Sequence, residues 1–174
     1  MIPIVSIVGK SDTGKTTLLE KLVRELKSRG YRIATIKHDA HSFEIDHEGK
    51  DSWRHKQAGA VVTVISSPEK LALVADTDHD HTLAEVRDTF IRDVDIILSE
   101  GYKKEQHPKI EVFRSELNRD MLCTGDDNLL AVAGDPPKVP EGIPIFDLND
   151  PRPLCDFIED RFLKSGPKQC PASS

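Results

Sequence analysis

Cysteine is scarce in this 174-residue sequence: Cys123, Cys155 and Cys170 are the only three, and no two form a C-x-x-C pair. That excludes a disulfide framework and leaves free thiols in a reducing compartment as the expectation. Long apolar runs are missing too, and none approaches the ~20 residues of a membrane-spanning helix. Positive charge is in deficit, with 24 Lys and Arg against 30 Asp and Glu and a net charge of −6. Nonspecific binding to nucleic acid or to an anionic membrane is therefore not expected. A phosphate ligand stays open, because local backbone N–H groups and a few cations outweigh a distant acidic surface. No basic leader or cleavage site follows Met1, so a cytoplasmic location is expected.

What is present alternates strand-like and helix-like segments. Ile2 to Val8 is a short apolar run ending at glycine, as buried parallel strands do. Leu18, Leu19, Leu22, Val23 and Leu26 then recur at helical spacing up to about Ser28, and Gly30 closes the helix. Tyr31 to Lys37 reads as a second strand, which completes a right-handed strand–helix–strand unit. After a polar loop and a short helix over Asp51 to Gly59, Val61 to Ser67 and Leu71 to Thr77 predict a β-hairpin. Thr82 to Ile91 predicts a helix with a capping box from Thr82 and Glu85. Further strands are expected at Val94 to Leu98, Lys109 to Arg114 and Leu129 to Ala133, with a last helix from Pro151 to Leu163. The expected organisation is one domain over residues 1–163 with a hairpin at about 61–77, and a flexible tail over 164–174.

The chemistry concentrates at Gly9-Lys10-Ser11-Asp12-Thr13-Gly14-Lys15-Thr16, which satisfies G-x-x-x-x-G-K-[ST]. The two glycines let the backbone wrap a phosphate while successive N–H groups point inward at a helix N-terminus. Lys15 can reach the β- and γ-oxygens, Thr16 can enter a Mg²⁺ shell, and Thr17 suits the α-phosphate. An apolar strand before the motif and an amphipathic helix after it separate it from a chance match. The fold class expected is α/β: a mainly parallel, doubly wound P-loop NTPase sheet with a protruding β-hairpin. Lys10 has two readings of equal weight. A lysine after the first glycine resembles the deviant Walker motifs of the dimeric ATPases and GTPases related to MinD, where it crosses to the partner's phosphates; otherwise it is a solvated loop lysine.

The acidic partner of a phosphate loop belongs at the C-terminal end of a buried strand. Asp95 opens its strand, and five residues at ~3.3 Å each set it roughly 16 Å from the phosphate edge. Glu100, beside Gly101, lies at the correct end and is assigned to the metal shell and to catalysis. Lys37-His38-Asp39-Ala40-His41 follows the second strand on that edge, where ligands of doubly wound sheets bind. Asp39 can orient a water or the metal, and loop solvation explains it equally well. Asp135, after a later strand, is a candidate for touching the base. Among seven histidines, Asp78-His79-Asp80-His81 invites a metal, but a tight loop cannot aim four adjacent ligands at one ion without strain. It reads as a polar connection.

Taken in order, GKSDTGKTTLLEKL, TIKHDAHSFEIDHEGKDSWRHKQAGA, the apolar hairpin and DIILSEGYKKEQHPKIEVFR resemble the MobB family, the molybdopterin-guanine dinucleotide biosynthesis protein B, over roughly residues 2–163. The resemblance implies a GTP-binding, weakly GTP-hydrolysing homodimer. It would assist MobA, the enzyme that attaches GMP to molybdopterin. The family's phosphate loop falls on Gly9 to Thr17. Its second signature falls on Lys37, His38, Asp39 and His41 with Gly49, Lys50, Asp51 and Ser52, and its Walker B-like element on Glu100 and Gly101. These last two segments would contact the nucleotide, the molybdopterin or the partner enzyme. One departure matters: no N-K-x-D guanine-reading tetrapeptide occurs.

Two alternatives accompany that reading. A small-molecule kinase would need an arginine-bearing lid, for which Arg114 and Arg119 are the only candidates in a suitable loop. A binding or delivery module without functional hydrolysis is the other.

Overall fold

The computed structural model describes residues 1–39 and 45–164 and divides into two compact units, Met1–His38 with Thr82–Ser174, and Asp39–His81. His41 and the tail from residue 165, with Cys170, lie outside the described residues.

The first unit is built on six strands: β1 (Ile4–Val8), β2 (Ile33–Lys37), β5 (Ile96–Glu100), β6 (Lys109–Phe113), β7 (Leu129–Gly134) and β8 (Ile145–Phe146). Their order is β2-β5-β1-β6-β7-β8, and every neighbouring pair is parallel. The expected doubly wound α/β sheet is observed. Several boundaries differ from the sequence reading: β1 and β2, for example, each open two residues later than expected. β5 runs two residues later than expected, so Glu100 is its last residue and not the loop after it. The two-residue strand β8 was not anticipated, being too short to show a period.

Side-chain alternation gives the sheet two apolar faces. On one, Val5, Ile7, Leu98, Ile110 and Ala131 pack against α1 (Lys15–Ser28) and α4 (Arg152–Ile158). Leu18, Leu22 and Leu26 are the buried residues of α1, spaced four apart so that they form one stripe. The helix stops where predicted: Gly30 at φ +91 lets its N–H reach the Lys27 carbonyl and the Tyr31 N–H reach that of Leu26, a Schellman closure. On the other face, Ile4 and Ile97 meet Leu83 of α3 (Leu83–Phe90), whose capping box forms as the Thr82/Glu85 spacing predicts. Val8, Phe113, Leu129 and Val132 are covered instead by Cys123 from the β6–β7 connection, which holds only a 3₁₀ turn at Ser115–Leu117. Cys123 and Cys155 are free and buried, and burial pushes both thiols up to about 12, which disfavours the thiolate.

The second unit carries α2 (Asp51–Gln57) and the hairpin β3 (Val62–Ser66) and β4 (Leu71–Ala75). The hairpin is a separate two-stranded antiparallel sheet with Val64 opposite Leu73, and it does not join the main sheet.

Past α4 the chain widens into a π-helical turn, Glu159–Leu163, which aims Glu159 at the end of α1. Arg29 binds Glu25 and Glu159 at 2.8 Å and Asp156 at 2.6 Å, while the Tyr31 hydroxyl donates to Glu159 at 2.7 Å. Those hydrogen bonds, from Tyr31 first and Arg29 second, hold the Glu159 carboxyl below its ordinary value. A carboxyl depressed by folding contributes stability that is complete above the unfolded value and disappears as pH falls through the folded one. We expect Glu159→Gln to lower the unfolding free energy by about 1 kcal/mol at neutral pH, discounted for partial exposure. In urea titrations the gap from wild type should close as pH falls to about 3.

Candidate functional site

The site lies where β5, β1 and β6 end side by side. β1 pairs with β5 so that Ile7 lies opposite Glu100, and with β6 so that Val8 lies opposite Glu111. The chain leaving β1 therefore enters the Gly9–Thr16 loop between two neighbouring strand ends.

Gly9 has φ +152, and a Cβ there would lie 2.6 Å from the Val112 carbonyl oxygen. Gly14 at φ +94 is the N-cap of α1 without any side-chain cap, so its N-terminal N–H groups face the loop. Between the glycines, Asp12 sits in the left-handed region at φ 67. Alternation between right- and left-handed residues gathers backbone N–H groups into an anion-receiving concavity. Lys15 donates to the Lys10 carbonyl at 2.8 Å, and buried Thr13 donates to the same oxygen at 3.0 Å. Ser11, Asp12, Thr16 and Thr17 are exposed, while Lys10 is half-buried.

Thr16, in the first turn of α1, donates its hydroxyl to Glu100, 3.0 Å from each carboxylate oxygen. This convergence of a hydroxyl and a carboxylate is a set of hard oxygen donors suited to Mg²⁺. Asp95 does different work: it accepts the Arg32 N–H at 2.7 Å and returns its own N–H to the Arg32 carbonyl at 2.8 Å, tying the start of β5 to that of β2. On the same edge Lys37 lies opposite Glu100, and the His38 N–H donates to the Glu100 carbonyl at 3.0 Å. The His38 ring meets Tyr102 at 4.6 Å, across the narrow gap that Gly101 leaves beside His38. Asp39 opens the second unit and is exposed.

Asp135 follows β7. Its carboxylate accepts the Ser115 N–H at 3.0 Å and the Ser115 hydroxyl, contacts that hold it below its ordinary value. The preceding Gly134, at φ +132, passes so close to β6 that a Cβ would meet the Phe113 carbonyl.

Sequence reasoning offered Arg114 and Arg119 only as lid candidates, and the structure sets both against the phosphate loop. Arg114 Nε donates to the Thr13 carbonyl and Arg119 Nη1 to the Ser11 carbonyl, each at 3.0 Å. Lys109 and Glu111 of β6 were missed. Alternation in KIEVF suggests a strand with one wet face, yet both charges are 1% exposed. Glu111 accepts the Leu122 and Cys123 N–H groups at 2.6 and 2.9 Å, and Lys109 pairs with Asp126.

These features define an α/β domain of the P-loop NTPase-like class. The comparisons with known proteins make that specific. A model of the family described as molybdopterin guanine dinucleotide synthesis protein B, MobB, matches residues 4–135, and the chain belongs to this family. It is 39% identical over 160 residues to the molybdopterin-guanine dinucleotide biosynthesis adapter protein of Haemophilus influenzae, covering 91% of this chain and 89% of that one. It is 38% identical over 170 residues to the protein of the same name from Escherichia coli, covering 94% and 95%. The crystal structure of Bacillus subtilis MobB superposes with a TM-score of 0.75 at 29% identity, covering 94% of this chain and 99% of that one.

The crowding at the loop gives a direct test. Gly9→Ala sets a Cβ against backbone and should destabilise the fold by about 1–3 kcal/mol in urea unfolding. Gly125→Ala, where a Cβ meets nothing within 4 Å, is the control and should be close to neutral.

Proposed function

We infer that this chain is a GTP-binding adapter in molybdopterin-guanine dinucleotide biosynthesis, a weak GTPase that assists a MobA-like molybdopterin guanylyltransferase. The observation that carries the nucleotide part is the Thr16–Glu100 contact beside Lys15, which sets a hydroxyl, a carboxylate and an ammonium around one strand exit. The adapter part rests on relatives that bear that name and align over about nine-tenths of both chains. A cytoplasmic location fits, and no helix among the described residues is long and apolar enough to cross a membrane.

In this reading the backbone from Gly9 to Thr17 receives the phosphates, with Lys10, Ser11, Asp12, Thr13 and Gly14 forming the cradle. Lys15 leaves the Lys10 carbonyl for the β- and γ-oxygens. Thr16 and Glu100 would hold Mg²⁺, which would supply neutralisation of phosphate charge. Asp39 orients a water or the metal shell. Asp135 reads guanine: each carboxylate oxygen keeps acceptor capacity beyond its Ser115 bond, enough for the N1 and N2 donors that adenine lacks as a pair. Lys37, His38 and Gly101 would contact the nucleotide, the molybdopterin or the partner enzyme. The kinase alternative loses support, because Arg114 and Arg119 spend donors on the phosphate loop instead of forming a lid.

Isothermal titration with GTP and ATP, with and without Mg²⁺, tests this. Lys15→Ala should lose roughly 2–4 kcal/mol of triphosphate binding, as one partner of a desolvated charge pair does. Glu100→Gln should lower hydrolysis while binding largely persists, and ATP should compete weakly with GTP. Near wild-type affinity in Lys15→Ala removes the phosphate-loop assignment.

The adapter is further inferred to act as a homodimer through the β3–β4 hairpin. One hairpin face shows Val62 at 49%, Val64 at 51%, Leu71 at 69% and Leu73 at 45% exposure; the other shows Val61 and Ile65 at 69% and 51%. A two-stranded ribbon with open edges and apolar faces is marginal alone, and a second copy of the same ribbon would satisfy both. Val64→Glu and Ile65→Glu charge opposite faces, and at least one should give folded monomer by light scattering. A monomeric wild type at high concentration, or two dimeric variants, would remove the hairpin from the interface.

A further inference from the structure

A loop that turns its N–H groups inward to receive an anion turns carbonyl oxygens outward, and each of those needs a donor. Between residues 10 and 14, three carbonyls are met by side chains. That of Lys10 is satisfied from inside the loop, by Thr13 and Lys15. Those of Ser11 and Thr13 are satisfied by Arg119 and Arg114, which lie 108 and 101 residues away in sequence. The two arginine contacts bracket Asp12, the left-handed residue at φ 67. A non-glycine residue leaves that conformation readily unless its neighbours fix it.

Both arginines belong to the connection between β6 and β7. Parallel strands are usually joined through a packed helix, but this connection holds only the 3₁₀ turn Ser115–Leu117. It is held instead by side chains. Glu111 is buried and takes two of the connection's N–H groups, Lys109 is buried and pairs with Asp126, and Asp135 takes Ser115 at the near end. Two charges buried in one strand are costly unless fully bonded, and here their bonds go to the segment that carries the arginines.

We propose that residues 114–128 form a positioning strap for the phosphate loop, in which Arg114 and Arg119 hold the Ser11–Thr13 backbone in its anion-receiving conformation and Glu111 roots the strap. Arg114 and Arg119 are positioning residues, acting through the loop's N–H groups. The effect on nucleotide affinity rests on the function proposed above; the effect on the loop itself does not.

The test is therefore made first on the free full-length chain, by hydrogen–deuterium exchange of Arg119→Ala, Arg119→Lys, the double variant Arg114→Ala/Arg119→Ala, and the surface control Arg24→Ala. Protection of peptides spanning residues 9–14 should fall about tenfold in the double variant while α4 and the control keep wild-type exchange. Arg119→Lys, which keeps a charged donor, should retain most of the protection that Arg119→Ala loses. A fluorescent GTP analogue with Mg²⁺ is then titrated, and its affinity should fall by roughly tenfold in the double variant. Unchanged exchange across the loop in a folded double variant overturns the strap, whatever the nucleotide does. Weaker binding with unchanged exchange would make the arginines direct ligand contacts, and also overturns it. If wild type binds no nucleotide, the function proposed above fails, and the exchange result still decides the strap.

Discussion

The parallel pairing of β1 with β5 on one side and β6 on the other fixes everything at the phosphate loop. With Ile7 opposite Glu100, the last residue of β5 stands beside the exit of β1, so the first turn of α1 presents Thr16 to that carboxylate. With Val8 opposite Glu111, β6 runs on two residues to Phe113, and Arg114 leaves it within reach of Thr13. A register shift of one residue in either pairing would reverse which face each side chain occupies and separate both pairs. Gly9 and Gly134 belong to the same constraint, since strand ends this close leave no room for a Cβ.

Burial at these strands is not uniformly apolar, and the exceptions are informative. Ser6 and Ser99 face one another across β1 and β5, and the Ser99 hydroxyl donates to that of Ser6 at 2.8 Å inside the core. Lys109 and Glu111 lie on the sheet face that α3 leaves to the β6–β7 connection. An apolar strand would need apolar residues from that connection to cover it. The connection instead offers N–H groups at residues 122 and 123 and a carboxylate at Asp126, and Glu111 and Lys109 meet them with charge-assisted bonds.

Most of the sheet was legible because its signals are local. The apolar run before Gly9, the Leu18–Leu22–Leu26 stripe, the Gly30 stop and the Thr82/Glu85 box each occupy a few adjacent residues, and all four formed. Placing Glu100 and Asp95 at opposite ends of β5 needed only strand direction and rise per residue, and Glu100 meets Thr16 at one end while Asp95 meets Arg32 at the other. What was not legible depends on partners far apart in sequence. Nothing near Arg119 announces that its donor goes to Ser11, and alternation at Lys109 and Glu111 looks the same whether a face meets water or a bonded connection. The late start of β5 has a similar cause. Val94 is apolar enough to read as strand, but Asp95 spends its side chain and N–H on closing the β2 end, so the ladder opens one residue later.

The two units divide the demands on this chain. In the first, polar groups at the sheet edge find partners within the unit: carbonyls of the loop take lysine or arginine, Thr16 takes Glu100, and Asp135 takes Ser115. The second unit leaves apolar surface outstanding, although α2 lies along β3. Thr63, on the β3 face shared with Val61 and Ile65, carries the one buried side-chain oxygen without a hydrogen-bond partner among the described residues. A ribbon of that composition cannot gain stability from its own two strands, because hairpin hydrogen bonds add little net free energy while the exposed valines and leucines still face water. Covering such a surface would stabilise the unit that carries it. An exposed apolar ribbon on a chain this rich in charge is the kind of surface that a binding partner covers.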